Sequence, residues 1–518
     1  MKGIAPYRVS ARAALPMLLG LLSCCLPMAL QASEQSPSAP RPTPVSMQAQ
    51  AVGQGWSEQV GHGDYSRQFQ YRSPVAGDGK AMVVWFEFPE SGARFLLKSG
   101  RYEAGSRRLS DEQTILAQGN DRFHVFAPSL VADGQGNLTV VWSPESEIGN
   151  TVLSVRYQAD SGRWGAPLRL DRNYPGDRTN KSIGPVTGID AQGNVFVAWD
   201  QQPQGASAPG SPIPHELRST RYDARQQTWS EPQKVNRDIG SRSYGVDAQR
   251  LMVDDSGFAT LAWRQQSVKS FLFSGSFEAS LLVARYDPQA QQWSRPRSLA
   301  TSDYMVGRPV VAGARRGDVA VLWYQTDGLF SAHYNPRTDK WQQTQLDDPQ
   351  RKRSNLDGFP PLAMDPAGNA VTVWSSPEAG IQVARYEAAR QAWSAPRTLA
   401  SLQRWQTPFF TTPEVDAAGN IMLVWNLIGY WNASGSRPGS APMDEVQVSR
   451  FSADTQSWSP PLTVVRQFDG EPLIAERIAT RMDARGAMEL SWWHQVGESS
   501  ERSFKRYGAP FFVEPVAR

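Results

Sequence analysis

Arg67, Arg122, Lys181, Arg242, Arg308 and Arg404, with Tyr244, Tyr304 and Trp405, lie in irregular stretches between strongly patterned ones. Arginines arriving from several stretches can grip a carboxylate, sulfate or phosphate with two parallel bonds each. Tyrosine and tryptophan rings beside them can stack on a sugar or another flat ligand. These nine are the candidate ligand-binding residues, and His124, Asp303 and Arg353 share the same stretches. The plainer alternative is that exposed loops carry Arg and Tyr in any protein. Glycan chemistry would need two carboxylates, or a Tyr with an acid, within roughly 5–10 Å of one another in a cleft. Asp303-Tyr304 and Asp64-Tyr65 are the pairs to inspect first, and no catalytic residue is assigned.

Other chemistries find no residues. The five histidines, His62, His124, His215, His333 and His494, are scattered without ligand spacing, so neither a metal nor a cofactor is expected. Asp133-Gly-Gln-Gly-Asn137 alternates oxygens but has no downstream acid at EF-hand distance. Gly-x-Ser-x-Gly elbows and phosphate-cradling glycine loops are missing. The only cysteines, Cys24 and Cys25, sit near the N-terminus, which removes disulfides and thiol nucleophiles from the body of the chain.

The chain has 518 residues, with 53 Lys and Arg against 50 Asp and Glu. Lys2, Arg8 and Arg12 precede an apolar run from Ala13 to Leu30, broken by Pro16 and Pro27, which reads as an export signal over residues 1–32. The rest of the chain is charge-balanced, so a nucleic-acid partner is not expected. Leu30-Gln-Ala32 resembles an ordinary cleavage site. Leu21-Leu-Ser-Cys24 resembles a lipobox, in which Cys24 would be lipidated and would form the only link to a membrane. Residues 33–50 are rich in Ser, Pro and Gln and read as a linker. The protein is thus expected to be periplasmic, anchored at the outer membrane, or extracellular.

The elements that must position any site come from a repeat. Gly188-Ile-Asp-Ala-Gln-Gly-Asn-Val-Phe-Val-Ala-Trp199 reads as a strand end, a tight turn and a second strand. Related copies end at Trp85, Trp142, Trp263, Trp323, Trp374, Trp425 and Trp492, each with a Gly six residues earlier, such as Gly193 before Trp199. Asp133, Asp190, Asp254, Asp365, Asp416 and Asp483 stand nine before it. A basic residue plus an aromatic follows in every unit, as in Arg221-Tyr222, and a further Trp stands seven residues beyond the aromatic in most. Each unit of roughly 58 residues then holds four short strands, in the third unit Gly184–Asp190, Asn194–Trp199, Leu217–Tyr222 and Trp229–Val235. Its second strand is apolar on both faces, which fits a covered propeller blade better than a helical solenoid.

The expected fold is all-β: an eight-bladed β-propeller of four-stranded blades, one monomeric domain over residues 51–518. Gly55-Trp56-Ser-Glu-Gln-Val60 matches the fourth-strand pattern that the last unit lacks, and is expected to complete the last blade. The first–second and third–fourth turns share one face and have fixed spacing. The opposite face carries the variable loops, and there function is expected. The repeated Asp reads as a turn acceptor that also meets the Arg of the third strand, Asp190 with Arg221. The fifth unit loses both, with Ala314 and His333 in their places.

Tyr286-Asp-Pro-Gln-Ala-Gln-Gln-Trp293 and Tyr157-Gln-Ala-Asp-Ser-Gly-Arg-Trp164 resemble the hairpins of the sialidase-like, Asp-box (BNR-type) propeller superfamily. The resemblance covers about residues 52–507 and concerns the scaffold. Sialidases of that group have six blades, an Arg triad, a Tyr–Glu pair, an Asp acid/base and an Arg-Ile-Pro motif that this sequence lacks. The leading expectation is a non-catalytic binding or interaction module of a bacterial cell envelope, for a glycan or another envelope protein. The alternative is a carbohydrate-active enzyme, a sialidase-like hydrolase or polysaccharide lyase, on an acidic glycan. A scaffold that docks partners on its outer rim is the third reading.

Overall fold

In a computed structural model the chain is all-β, its strands paired into antiparallel sheets that succeed one another in sequence. The structure describes residues 47–51, 56–60, 71–72, 80–87, 95–103, 108–118, 129–144, 151–171, 181–202, 215–237, 239, 243–268, 277–303, 306–347, 360–376, 378–403, 406–429, 444–465, 467–468, 471–472, 475–482, 488–496 and 503–515. The first sheet spans residues 71–118, the second 129–169, the third 181–234 and the fourth 243–302. The fifth spans 310–345, the sixth 362–400 and the seventh 406–465. The eighth combines Ala475–Met482, Met488–Val496 and Ser503–Pro515 with two N-terminal strands. The first strand of each sheet touches the first strand of the next, from Tyr71–Arg72 to Ala475–Met482.

Within a sheet the order is up and down. In the third, Lys181–Ile189, Val195–Gln202 and Glu216–Asp223 pair in sequence. The fourth strand is broken into Thr228–Trp229 and Gln233–Lys234, both on Glu216–Asp223. The break follows from Ser230-Glu-Pro232: proline has no N–H for the ladder, and Ser230 Oγ instead accepts the Arg221 N–H at 3.0 Å.

The repeat Trp is the main inter-sheet filler. Trp199 packs on Val141, Val152 and Leu170 of the second sheet. Trp263 packs on Phe196, Ala198 and Leu217 of the third, and Trp323 on Ala262, Leu281 and Val283 of the fourth. All three are almost wholly buried, so each sheet gets a large share of its apolar burial from the sheet before it.

The repeat Asp accepts turn amides as its spacing predicts. Asp190 Oδ1 takes the Gln192 and Asn194 N–H groups at 2.9 and 2.8 Å. Its other oxygen takes Asn194 Nδ2 at 2.7 Å, and Asn194 Oδ1 accepts the Ala224 N–H at 3.0 Å. Asn194 is therefore the bridge between the two turns of this face. The same chain of bonds recurs through Asn137, Asn369 and Asn420. Asp190 and Arg221 form no direct ion pair: Arg221 Nη1 lies 3.4 Å from Asp223, while Asp190 spends its oxygens on the turn. The charge of the repeat Asp does reach the repeat Arg in other units, Asp133 with Arg156, Asp254 with Arg285 and Asp365 with Arg385. Gly193, at φ +82°, leaves room for Asp133 of the preceding sheet: a Cβ there would sit 3.3 Å from its Oδ2.

The basic residue of one sheet covers the aromatic ring of the next. Arg156 lies 3.9 Å from the Tyr222 ring centre, Arg285 3.8 Å from Tyr334 and Arg385 3.7 Å from Phe451. Arg101 donates to the Tyr157 hydroxyl at 3.0 Å. In the fifth sheet His333 keeps this place and stacks on Tyr386, centroids 3.9 Å apart at 20°. Burial pushes its pKa down to about 4. The unfolded imidazole takes a proton near its ordinary 6.5 and the folded one only near 4. The fold therefore weakens as pH falls through that window, by at most roughly 3 kcal/mol. His333→Phe should flatten this part of the stability–pH curve, measured by urea unfolding at a series of pH values.

The N-terminal strands pair with the last long one. Trp56–Val60 runs antiparallel to residues 504–508, as the fourth-strand pattern predicts. Met47–Ala51 pairs with residues 511–515, so residues 47–50, read above as the end of the linker, are strand. The Gln48-Ala-Gln-Ala51 alternation has the period of a strand. A chain beginning at Gly61 should melt at a lower temperature and self-associate through the bared edge, compared by light scattering and thermal unfolding with one beginning at Ser33.

Candidate functional site

Of the nine residues picked for ligand binding, Arg308 is described with its side chain, and it is exposed. Lys181 and Tyr244 are placed by their backbones, in Lys181–Ile189 and at the start of Ser243–Val253. Arg67, Arg122, Arg242, Tyr304, Arg404 and Trp405 lie outside the described residues, as do Cys24 and Asp483 with its turn, residues 483–487. No group of metal-ligating residues occurs among the described residues.

The structure brings together a different set, at the loop ends of the third and fourth sheets. Asp200 follows Trp199 on the second strand, and His215 immediately precedes the third, Glu216–Asp223. His215 Nδ1 lies 2.9 Å from Asp200 Oδ2, with side-chain exposures of 18% and 2%. Gln202 Nε2 adds a bond to the same oxygen at 3.3 Å. Asp200 Oδ1 is buried with no hydrogen-bond partner. Burial raises the Asp200 carboxyl above the usual range, and the bond and charge of His215 only partly offset it. The charge of Asp247, on the neighbouring sheet, pushes the same way.

Asp247 comes from Ser243–Val253 and pairs across the ladder with Arg264, the residue after Trp263. Arg264 grips it through Nε at 2.7 Å and through Nη2, while Nη1 donates to the Val306 carbonyl at 3.2 Å. Two residues beyond Val306 stands Arg308, whose charge, after burial, helps lower the pKa of Arg250. Arg250 shares the strand of Asp247. An acid–imidazole pair on the third sheet, an ion pair on the fourth and two neighbouring guanidiniums on the fourth and fifth thus succeed one another.

Bulges aim this group. The register shifts between Asp247 and Arg250, where Ala248 takes a φ of +56°. It shifts again in the third sheet between Ile183 and Val186, where Gly184 has φ +61°. Gln249 Nε2 donates to the Gly184 carbonyl and joins the two bulges. Bulges and strained backbone of this kind re-aim side chains and gather at functional sites. Beneath them a buried amide network fixes His215. Asn236 Nδ2 donates to the His215 carbonyl at 3.0 Å, and its Oδ1 accepts the Leu217 N–H at 2.9 Å. Gln265, on the fourth sheet, donates to the Gly245 carbonyl at 2.6 Å.

Sequence reasoning directed at the loops passed over these residues because they lie on strands. A signal was present: the position after the repeat Trp is Phe86, Ser143, Asp200, Arg264, Tyr324, Ser375, Asn426 and Trp493. A charge there, at the end of a doubly buried strand, occurs in the third and fourth units. Buried charges of that kind come paired and gather where chemistry is done.

No protein-family model and no curated protein sequence matches this chain. Solved structures do. The chain resembles the Hadza microbial sialidase Hz136 at 13% identity, over 64% of this chain and 70% of that one, with a TM-score of 0.36. It resembles the polysaccharide lyase Uly1 at 9% identity, over 83% and 88%, with a TM-score of 0.40. It also resembles the Penicillium chrysogenum alpha-L-arabinanase complexed with arabinobiose at 11% identity, over 67% and 100%, with a TM-score of 0.35.

Asp200 is stored at a cost to the fold, since a buried carboxylate oxygen goes unbonded. Asp200→Asn keeps an acceptor for His215 Nδ1 and removes the charge. It should stabilise the protein by about 1 kcal/mol at neutral pH. The gain should shrink as the pH falls and the wild-type carboxyl takes up its proton, read from urea unfolding of both proteins at each pH.

Proposed function

We propose that this chain is an exported, carbohydrate-active eight-bladed β-propeller that acts on an acidic glycan held at the loop ends of its third to fifth blades. The observation that carries the reading is the Asp200–His215 pair at the strand ends of the third sheet, next to the sheet whose first strand carries Arg250 with Arg308 as its neighbour. The pair offers proton transfer and the guanidiniums offer a seat for a carboxylate or sulfate. The succession of sheets, and the pairing of Trp56–Val60 with the last long strand, support eight blades closed from the N-terminus. In this reading residues 1–32 are the export signal, with lipidation at Cys24 as the alternative. The rest of the chain beyond the linker is one monomeric propeller.

A second reading keeps the seat without the chemistry, as a binding module for envelope glycans. Phe409, 49% exposed on the inner strand Gln406–Phe410, favours it, because an exposed ring there suits stacking on a sugar.

Calorimetry with polygalacturonate and heparin, against dextran as a neutral control, tests the acidic ligand common to both. Binding should be confined to the acidic polymers. Arg250→Glu with Arg308→Glu should weaken it by about tenfold or more, equivalent to 1.4 kcal/mol. Equal binding of dextran, or unchanged affinity in the double variant, would overturn this assignment.

A further inference from the structure

We propose that His215 is the base of a β-elimination, removing the proton next to the carboxylate of a uronate residue bound over the third and fourth sheets. The inference rests on the enzymatic reading above and names its reaction and substrate class.

The carboxylates described at these strand ends point away from hydrolysis. Hydrolysis needs one carboxyl to protonate the leaving oxygen and a second to act as base or nucleophile across the bond. Asp200 is buried and committed to His215, and Asp247 is gripped by Arg264. Neither is available for a sugar. Elimination asks for other groups. It needs a base at the carbon bearing the carboxylate, and positive charge on that carboxylate to stabilise the developing enolate. His215 supplies the first. With Nδ1 turned to Asp200, Nε2 is the nitrogen left for substrate. Arg250, on the first strand of the fourth sheet, and its neighbour Arg308, just before the first strand of the fifth, supply the second.

The step balances without an outside reagent. His215 Nε2 takes the proton from the carbon next to the carboxylate, and the C–H electron pair forms the new carbon–carbon double bond. The glycosidic C–O bond at the adjacent carbon breaks, and its oxygen leaves with a proton from the imidazolium or from water. One chain becomes two, one with an unsaturated uronate at its end. Asp200 is a positioning residue: it orients the imidazole and favours its charged form during the step.

Wild-type protein incubated with polygalacturonate, alginate and hyaluronan should give the ultraviolet absorbance of an unsaturated uronate on at least one polymer. His215→Gln keeps a polar side chain at that place; it should bind that polymer with unchanged affinity and lose at least about 100-fold in turnover. His215→Ala should behave alike if it folds. Asp200→Asn should retain more activity than His215→Gln and move the acid limb of the pH–rate profile to lower pH, a change that a purely structural role would not produce. New reducing ends without unsaturation would mean hydrolysis and overturn the proposal. So would tight binding of a polymer that is never cleaved, or full turnover in His215→Gln. Failure to bind any acidic polymer would instead overturn the reading beneath it.

Discussion

From the second to the seventh, each sheet in this protein needs the sheet before it. The repeat indole at Trp199, Trp263 or Trp323 is buried against side chains of the preceding unit, and the strand that carries it is apolar on both faces. A single unit could bury neither face alone. Basic-on-aromatic contacts run in the opposite sense, from Arg156 onto Tyr222 and from Arg285 onto Tyr334. Each interface is therefore held from both sides. Inner strand ends on neighbouring sheets are fixed relative to one another, and chemistry divided between two sheets depends on that.

The two ends of the strands are treated differently. At the turn end, Asp190, Asn194 and the Ala224 amide close a circuit of bonds in which each oxygen has its donors. At the loop end, Asp200 keeps a buried oxygen unpartnered and Ala248 is held in a left-handed conformation. Natural folds satisfy local rules nearly everywhere and violate them where function requires it. The turn end has exceptions of its own: Gln227, Gln291, Gln391 and Gln456 take left-handed backbone in its hairpins, and Arg221 Nε is buried without a partner.

Much of the scaffold was legible. The Gly-to-Trp spacing marks two strands and a turn because a tight turn needs left-handed backbone at Gly193 and the indole needs a covered face. The stretch Trp56–Val60 showed its place by matching a strand missing from the last unit. The main contact of the repeated Arg was not legible, because charges some twenty to thirty residues apart in sequence say only that they interact, not that an aromatic ring lies between sheets. In space the Asp is saturated by its own turn, and the Arg finds an aromatic ring on the next sheet. The loss of Asp and Arg together in the fifth unit had looked like the loss of a pair. Both positions change, and His333 keeps the stacking place of the Arg on the next sheet. The site was less legible. Asp200 and His215 are separated by a connection whose length conveys nothing about their meeting, and Asp247 reaches them from another sheet. Only the charge directly after Trp199 betrayed the place.

The pairing of Trp56–Val60 with residues 504–508 joins segments separated by nearly the whole chain. Closing so long a loop is entropically slow, and contacts of such separation delay folding. Sheets with local partners can assemble early; the eighth must wait for the C-terminal strand to exist. The N-terminal strand is therefore a timer as well as an edge cover: the last sheet is completed only after the whole chain has been made. Any partially made chain carries a bare strand that seeks a partner, which places the period of greatest risk of misassembly in synthesis rather than in the folded protein.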